Sequence, residues 1–290
     1  MYLRHSPTNK QLTTFLLKLI NLVFLVYFGT NGAGKTTTIR MLLGIIKKDT
    51  GNITWNEKKV ERKSVNFGYL PEERGVYPKT KIYDQLMYFA KLKGMSKSEA
   101  DKAINKWAKV LKVEEYIPMP AEKLSKGNQQ KIQFMTSILH NPELIVLDEP
   151  FSGLDPVNTE ILKNIIIDLV KDGKYIIMSS HQMASIEEFC TDILILNKGK
   201  TVLQGNLKEI KETYKANRLE LSTNKNIDEY IKEFNMDIEF SKNNEYSIKI
   251  DSEEKAHQLL HKLVSDDIEV DKFEIKKPTL NDIFIEKVGE

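Results

Sequence analysis

The chain has 290 residues, 29% of them charged and 41% hydrophobic. That balance belongs to a folded protein and excludes a disordered one, and the length accommodates one large or two modest domains. Its 43 basic and 41 acidic residues leave a formal net charge of +2, which gives no bulk attraction to nucleic acid, and the single cysteine, Cys190, excludes an internal disulfide and a cysteine-cluster metal site.

From the N-terminus, residues 12–28 read LTTFLLKLINLVFLVYF, with Lys18 their only charge, and no acidic residue precedes Asp49. A membrane helix wants about 20 apolar residues, and a secretory signal wants a small-residue cleavage site after its apolar core. This run is shorter, carries Lys18 and Asn21, and leads into GTNGAGKTTT instead. It is expected to end in a buried strand over residues 22–28, since strands of parallel sheets read as continuous apolar runs.

Further along, short apolar runs at 65–70, 144–147, 175–178 and 193–196 read as buried strands. Helical patterns cover 35–46, 83–93, 97–111, 128–140, 156–171 and 183–190. This alternation predicts a layered α/β fold with a mainly parallel sheet, and residues 83–140, which hold no good strand, form a helical insertion. Asn197-Lys198-Gly199-Lys200 reads as a hairpin turn. After Gly205 the chain becomes rich in Lys, Glu, Asp and Asn, with strands expected at 218–222 and 246–250 and helices at 226–234 and 252–264. The expected division is an atypical segment 1–28, a nucleotide domain 29–205 and a small α+β domain 206–290.

Gly29-Thr30-Asn31-Gly32-Ala33-Gly34-Lys35-Thr36 fits G-x-x-x-x-G-K-[ST] in full, after an apolar strand and before a helical pattern. Glycines let successive N–H groups curl inward toward phosphate oxygens, and the helix start adds partial positive charge. Lys35 is expected at the β/γ-phosphates, Thr36 on Mg²⁺, and Gly29, Asn31, Gly32, Gly34 and Thr37 around the phosphates. The glycine spacing differs from the dinucleotide fingerprint G-x-G-x-x-G. A second centre is Leu144-Ile145-Val146-Leu147-Asp148-Glu149, four apolar residues ending in two carboxylates. Asp148 at the strand tip suits Mg²⁺, and Glu149 is placed to orient and deprotonate a water.

Other candidates are weaker. His257 and His261 lie four apart on an expected helix, but no Glu follows the first and no third ligand is evident, so a solvated helix face is expected. Asn197-Lys198-Gly199-Lys200 carries Lys where a guanine-specific N-K-x-D motif needs Asp.

Leu124-Ser125-Lys126-Gly127-Asn128-Gln129-Gln130-Lys131 resembles the signature sequence of ATP-binding-cassette ATPases, with Lys126 at the second glycine position. Ser152-Gly153-Leu154-Asp155 resembles the family's D-loop and Ser180-His181 its switch histidine. Gly68-Tyr69-Leu70-Pro71-Glu72-Glu73-Arg74-Gly75 is similar to its Q-loop segment, and Pro278-Thr279-Leu280-Asn281-Asp282-Ile283-Phe284 to the tail of the multidrug, antibiotic and sodium exporter ATPases. The match runs from about residue 22 to the C-terminus, with the motifs in the family's order.

The resemblance implies a P-loop nucleoside triphosphatase that uses ATP and Mg²⁺. It implies two nucleotide subunits, identical or different, facing head to tail. Ser125 and the backbone around Gly127 would then meet the γ-phosphate of the partner's ATP, and Asn128 would add polar contacts. His181 would touch the γ-phosphate and help hold the lytic water, Glu72 would act at the metal or a water, and Asp155 would bridge the two sites or cap a helix before Pro156. Glu72 stands where glutamine is commoner, and a carboxylate accepts but cannot donate as an amide does. The implied setting is the cytoplasmic face of a membrane, on a separate integral-membrane permease contacted through residues 83–140, with no nucleic-acid partner.

The family's usual opening, strand, adenine-stacking aromatic, strand, has no counterpart in residues 1–28, where Tyr2 and Phe15 stand outside any such pattern and Tyr27 is too close to the loop. A disrupted reading frame or misassigned start upstream of Gly29 is expected. The function expected is ATP hydrolysis driving an exporter. The alternatives are a non-hydrolysing or defective regulatory ATP-binding protein, and a soluble cassette protein of translation or DNA repair, whose doubled cassette or long coiled coil does not occur here.

Overall fold

The computed structural model describes residues 24–29, 32–48, 52–55, 58–59, 65–73, 75–181 and 183–289. The expectations for residues 1–23 and for Asn31 lie outside the described residues.

The chain contacts separate two compact units, one ending at Gly205 and one starting at Asn206. In the first, β1 (Phe24–Gly29) leads into α1 (Lys35–Leu42), followed by a small hairpin of β2 (Thr54–Trp55) and β3 (Lys58–Lys59), and by β4 (Phe67–Leu70). The helices α2 (Ile82–Leu92), α3 (Lys97–Leu111) and α4 (Lys126–Ile138) come next. Then β5 (Leu144–Asp148), α5 (Pro156–Lys171), β6 (Tyr175–Ser179), α6 (Met183–Glu187), β7 (Asp192–Asn197) and β8 (Lys200–Asn206) complete the unit.

The main sheet has the order β4-β5-β6-β1-β7-β8, parallel from β4 through β7. β5 is buried along its whole length and β7 nearly so, because helices cover both faces. One face packs Leu25, Val146, Ile177 and Leu194 in a common core with Ile39 of α1. The β7–β8 turn carries Lys198 and Gly199 at φ 47° and 78°, the paired positive dihedrals of a tight two-residue hairpin turn.

Helix α1 stops at Leu42, four residues short of the sequence expectation. Gly44 takes φ 67°, its N–H donates to the Met41 carbonyl at 3.0 Å, and the Ile45 N–H donates to the Arg40 carbonyl at 2.8 Å. That paired closure is a Schellman motif, which overrides the apolar pattern of Leu42-Leu43 and Ile45-Ile46. Helix α4 starts two residues early because the Ser125 side chain caps it, accepting from the Asn128 N–H at 3.2 Å.

The second unit contains α7 (Leu207–Thr213), β9 (Arg218–Thr223), α8 (Asp228–Glu233), β10 (Asp237–Lys242), β11 (Glu245–Lys249), α9 (Glu253–Ser265), β12 (Val270–Lys276) and α10 (Leu280–Gly289). Its antiparallel sheet has the order β10-β11-β9-β12. Residues of β9 alternate in burial, and Leu219, Leu221 and Ile248 pack against Ile231, Leu259 and Leu263 of the helices. β10 and β12 carry too many charges to show in the apolar pattern.

Candidate functional site

The carboxyl ends of β5, β6 and β1 point the same way, so the residues just past them converge, as at the crevice of any open parallel sheet. From β1 comes the loop into α1. A Cβ on Gly29 would lie 2.7 Å from the Leu196 carbonyl oxygen, so no larger residue fits. Gly34 caps α1 at φ 100°, a region open to glycine, and brings no side chain of its own to cap the first turn. No acidic residue of the helix itself occupies that turn, which suits an anion. Lys35 is buried and bends back over the loop, donating to the Gly29 carbonyl at 2.7 Å.

From β5 come the two carboxylates. Asp148 is fully buried, and its Oδ1 accepts a hydrogen bond from Ser179 Oγ of the neighbouring strand β6. Its Oδ2 is buried with no hydrogen-bond partner among the described residues. Glu149 takes φ 53°, strained for a residue with a side chain, and its N–H donates to Ser179 Oγ at 3.1 Å. The turn swings its carboxylate to His181, which follows β6, with Oε2 2.8 Å from Nδ1. Glu72, just beyond β4, reaches the loop from the other side, where Thr36 Oγ1 donates to its Oε2 at 3.5 Å.

The glycine loop, Lys35, Thr36, Glu72, Glu149 and His181 share one cavity of about 570 Å³, lined by Gly29 and residues 32–37 together with those three side chains beyond the loop. Asp148, fully buried, is not among its lining residues, nor are Ser125, Gly127 and Asp155. Ser125 caps α4, and Asp155 caps α5 by accepting from the Asn158 N–H at 2.8 Å and its amide at 2.6 Å. Those two bonds hold the Asp155 carboxyl below the usual range, the backbone one first. Gly127 lies against the D-loop, where an added Cβ would meet Leu154 Cδ2 at 3.5 Å. His257 and His261 are both exposed on α9, and no preformed cluster of three metal-ligating side chains exists among the described residues.

Two supporting residues carry no motif. Ser179 orients both Asp148 and Glu149; the sequence signal for it is a hydroxyl closing an otherwise apolar strand. Arg40, further along α1, lies beside Tyr69 of β4, whose phenol pushes the guanidinium up, while burial pushes the Tyr69 phenol up.

The donor set fits Mg²⁺. One buried oxygen of Asp148 has no hydrogen-bond partner among the described residues, and its neighbour in sequence, Glu149, lines the cavity where the Thr36 hydroxyl and the Glu72 carboxylate stand. Mg²⁺ is usually held by one or two carboxylates plus phosphate oxygens rather than by a protein cage. Charge points the same way, because Glu149 and Glu72 line the cavity with a single lysine, a balance that a divalent cation would offset for a polyanion.

A parallel sheet with a glycine loop entering a helix, beside a strand ending in Asp-Glu, defines a P-loop nucleoside triphosphatase fold. A family model described as "ABC transporter" matches residues 17–152, and one described as "ATP-binding protein DrrA1-3-like, C-terminal domain" matches residues 205–288. The ABC transporter ATP-binding protein YhaQ of Bacillus subtilis is 44% identical over 263 residues, 90% of this chain and 88% of that protein. A counterpart from Alkalihalophilus pseudofirmus is 43% identical over 267 residues, 90% of this chain and 98% of its own length. A solved structure described as the ATP binding subunit of an ABC transporter superposes with a TM-score of 0.66 at 27% identity, covering 73% of this chain and 90% of the other. The chain belongs to the ABC transporter ATP-binding protein family. Proteins of this family bind ATP, generally hydrolyse it, and work with membrane permease subunits. Among the described residues no helix is long and apolar enough to cross a membrane.

Proposed function

We propose that this chain hydrolyses ATP as the nucleotide subunit of an ABC exporter and drives a separate integral-membrane permease from the cytoplasmic face. The observation that carries the reading is the single cavity shared by Lys35 and the first turn of α1 on one side and Glu149 and His181 on the other. The exporter assignment is supported by the DrrA1-3-like match over residues 205–288.

In this reading the N–H groups of residues 32–37 and the Lys35 ammonium grip the β- and γ-phosphates. Thr36, Asp148 and Glu72 would hold Mg²⁺, directly or through water, and the ion would supply positive charge to the phosphate oxygens. Glu149 accepts the proton of a water aimed at the γ-phosphorus, and His181, with its Nδ1–H toward Glu149, keeps that carboxylate aligned. Ser125, Gly127 and Asp155 lie outside the cavity and are left to act on the ATP of a second subunit, identical or not.

The permease contact is assigned to the helical insertion. Tyr88 and Leu92 are exposed there and Tyr77 just ahead of it, and an apolar cavity of about 360 Å³ lies among Phe67, Phe89 and Ile132. Exposed aromatic and aliphatic groups rimming an apolar hollow suit a protein partner.

The test uses purified protein with labelled ATP and Mg²⁺. Glu149→Gln is expected to bind ATP and release phosphate at least about 100-fold more slowly, the usual cost of losing a general base. Unchanged turnover in that variant overturns the assignment. ATP binding without phosphate release by the unsubstituted chain would favour the regulatory alternative instead.

A further inference from the structure

The segment that carries Glu72 is held in place by a side chain outside every motif. Gln133 lies on α4, eight residues beyond Ser125, or about 12 Å along the axis, and is 6% exposed. Its Nε2 donates to the carbonyl of Pro71 at 3.1 Å and to that of Glu73 at 2.9 Å, the two carbonyls that bracket Glu72. Its Oε1 accepts the N–H of Gly75 at 3.3 Å. One amide thus spends three of its four hydrogen-bonding positions on a single short stretch of backbone. Glu72 and Glu73 are themselves exposed, so apolar packing of their own side chains does not fix them. Gln85 of α2 repeats the arrangement a few residues on, accepting from the Tyr77 N–H at 2.8 Å and donating to the carbonyls of Tyr77 at 3.0 Å and Thr80 at 2.8 Å.

We propose that Gln133 is a positioning residue: it sets the Glu72 carboxylate beside Thr36 and makes that placement follow helix α4, whose first turn carries Ser125 and Gly127. This rests on the reading of Glu72 as a Mg²⁺ ligand. A shift of α4 is thereby passed to the metal side of the cavity by three hydrogen bonds rather than by a change in any phosphate-binding group.

The test is a double-substitution cycle on the full chain, read as Mn²⁺ affinity by electron paramagnetic resonance with a non-hydrolysable ATP analogue. Gln133→Met fills nearly the same volume without the amide. Because groups that orient metal ligands are typically worth 10–100-fold in metal affinity, it is expected to weaken Mn²⁺ about tenfold while leaving analogue affinity in EDTA unchanged. In a Glu72→Ala background the same substitution is expected to change Mn²⁺ affinity less than about twofold, since no carboxylate is left to position. Equal losses in both backgrounds, or no loss in either, assign Gln133 to the fold alone and overturn the proposal. Gln133→Glu, which keeps an acceptor for Gly75 but turns a carboxylate on two carbonyl oxygens, runs through the same cycle with the same expectation. Failure of both variants to fold overturns the proposal too. Loss of phosphate release in the unsubstituted chain strikes the proposed hydrolysis and leaves this cycle readable, because it needs only bound Mn²⁺.

Discussion

The two units are both sheets covered by helices, yet they bury different chemistry. Among the described residues, the first unit buries Lys35, Asp148, Glu149, Ser179 and Ser180, whereas the second buries one polar side chain, Thr223. The topology accounts for the contrast. Parallel strands end on the same side, so polar residues at the tips of β1, β5 and β6 meet. The antiparallel strands β9 to β12 end on alternate sides, and their alternating pattern serves one apolar core. A site that needs several strand ends at one point belongs to the first arrangement.

The sharpest way to break the contrast is to remove the one lysine among the cavity's lining residues. Lys35→Ala takes away a positive group preorganised for the phosphates, which commonly costs about 10²–10³-fold in turnover. The measurement is phosphate release with ATP binding measured alongside, and activity within tenfold of the unsubstituted chain would detach the glycine loop from the chemistry. A finer cut is Ser179→Ala. Its hydroxyl serves Asp148 Oδ1 and the Glu149 N–H together, so both carboxylates loosen at once. About a tenfold loss in turnover is expected, with a higher Mg²⁺ requirement, on the scale of other groups that orient metal ligands.

The parts of this picture that were legible in the sequence are those in which one local pattern serves one purpose. The strands β5, β6 and β7 are buried on both faces and so print as unbroken apolar runs; the glycine loop has a fixed spacing because backbone curvature demands it. Ser179 and Gln133 were not legible. Their partners lie 31 and about 60 residues away, and a hydroxyl or an amide has no distinctive spacing until the sheet closes. Strands β10 and β12 escaped for the opposite reason: as edge strands they carry charges such as Glu239 and Lys272, which hide the alternation.

The contrast also predicts where damage stays local. Leu221, 2% exposed on the central strand β9, anchors the second unit's core. Leu221→Ala is expected to destabilise that unit by about 2–5 kcal/mol, read as faster amide exchange in β9 and β11. Both tryptophans, Trp55 and Trp107, lie in the first unit, so their fluorescence reports that unit alone. The fluorescence transition and ATP hydrolysis are expected to stay within about twofold of normal, since no buried polar group of the site depends on Leu221; an equal shift in fluorescence would mean the two cores unfold as one.

The smallest expected effect tests the first unit's burial of polar groups away from the cavity. His140 Nε2 lies 3.1 Å from the Phe67 carbonyl oxygen, which also accepts from Lys93 Nζ at 2.9 Å. Burial, with help from the Lys93 charge, pushes the histidine down from 6.5 to about 4, against the pull of the Phe67 carbonyl. The folded form therefore refuses a proton that the unfolded chain accepts. Between those two values the unfolded state binds more protons, so stability is full above pH 6.5 and declines as the pH falls toward 4. Since His140 keeps some solvent contact, screening trims the effect to about 1 kcal/mol at pH 5, or about 2–4 °C in the tryptophan-detected melting temperature. His140→Gln keeps a donor for Phe67 but cannot titrate, and is expected to remove that increment of acid sensitivity while the carboxylates continue to contribute theirs. Parallel declines of the two proteins from pH 7 to pH 5 would show that the histidine is as open to protons in the folded chain as in the unfolded one.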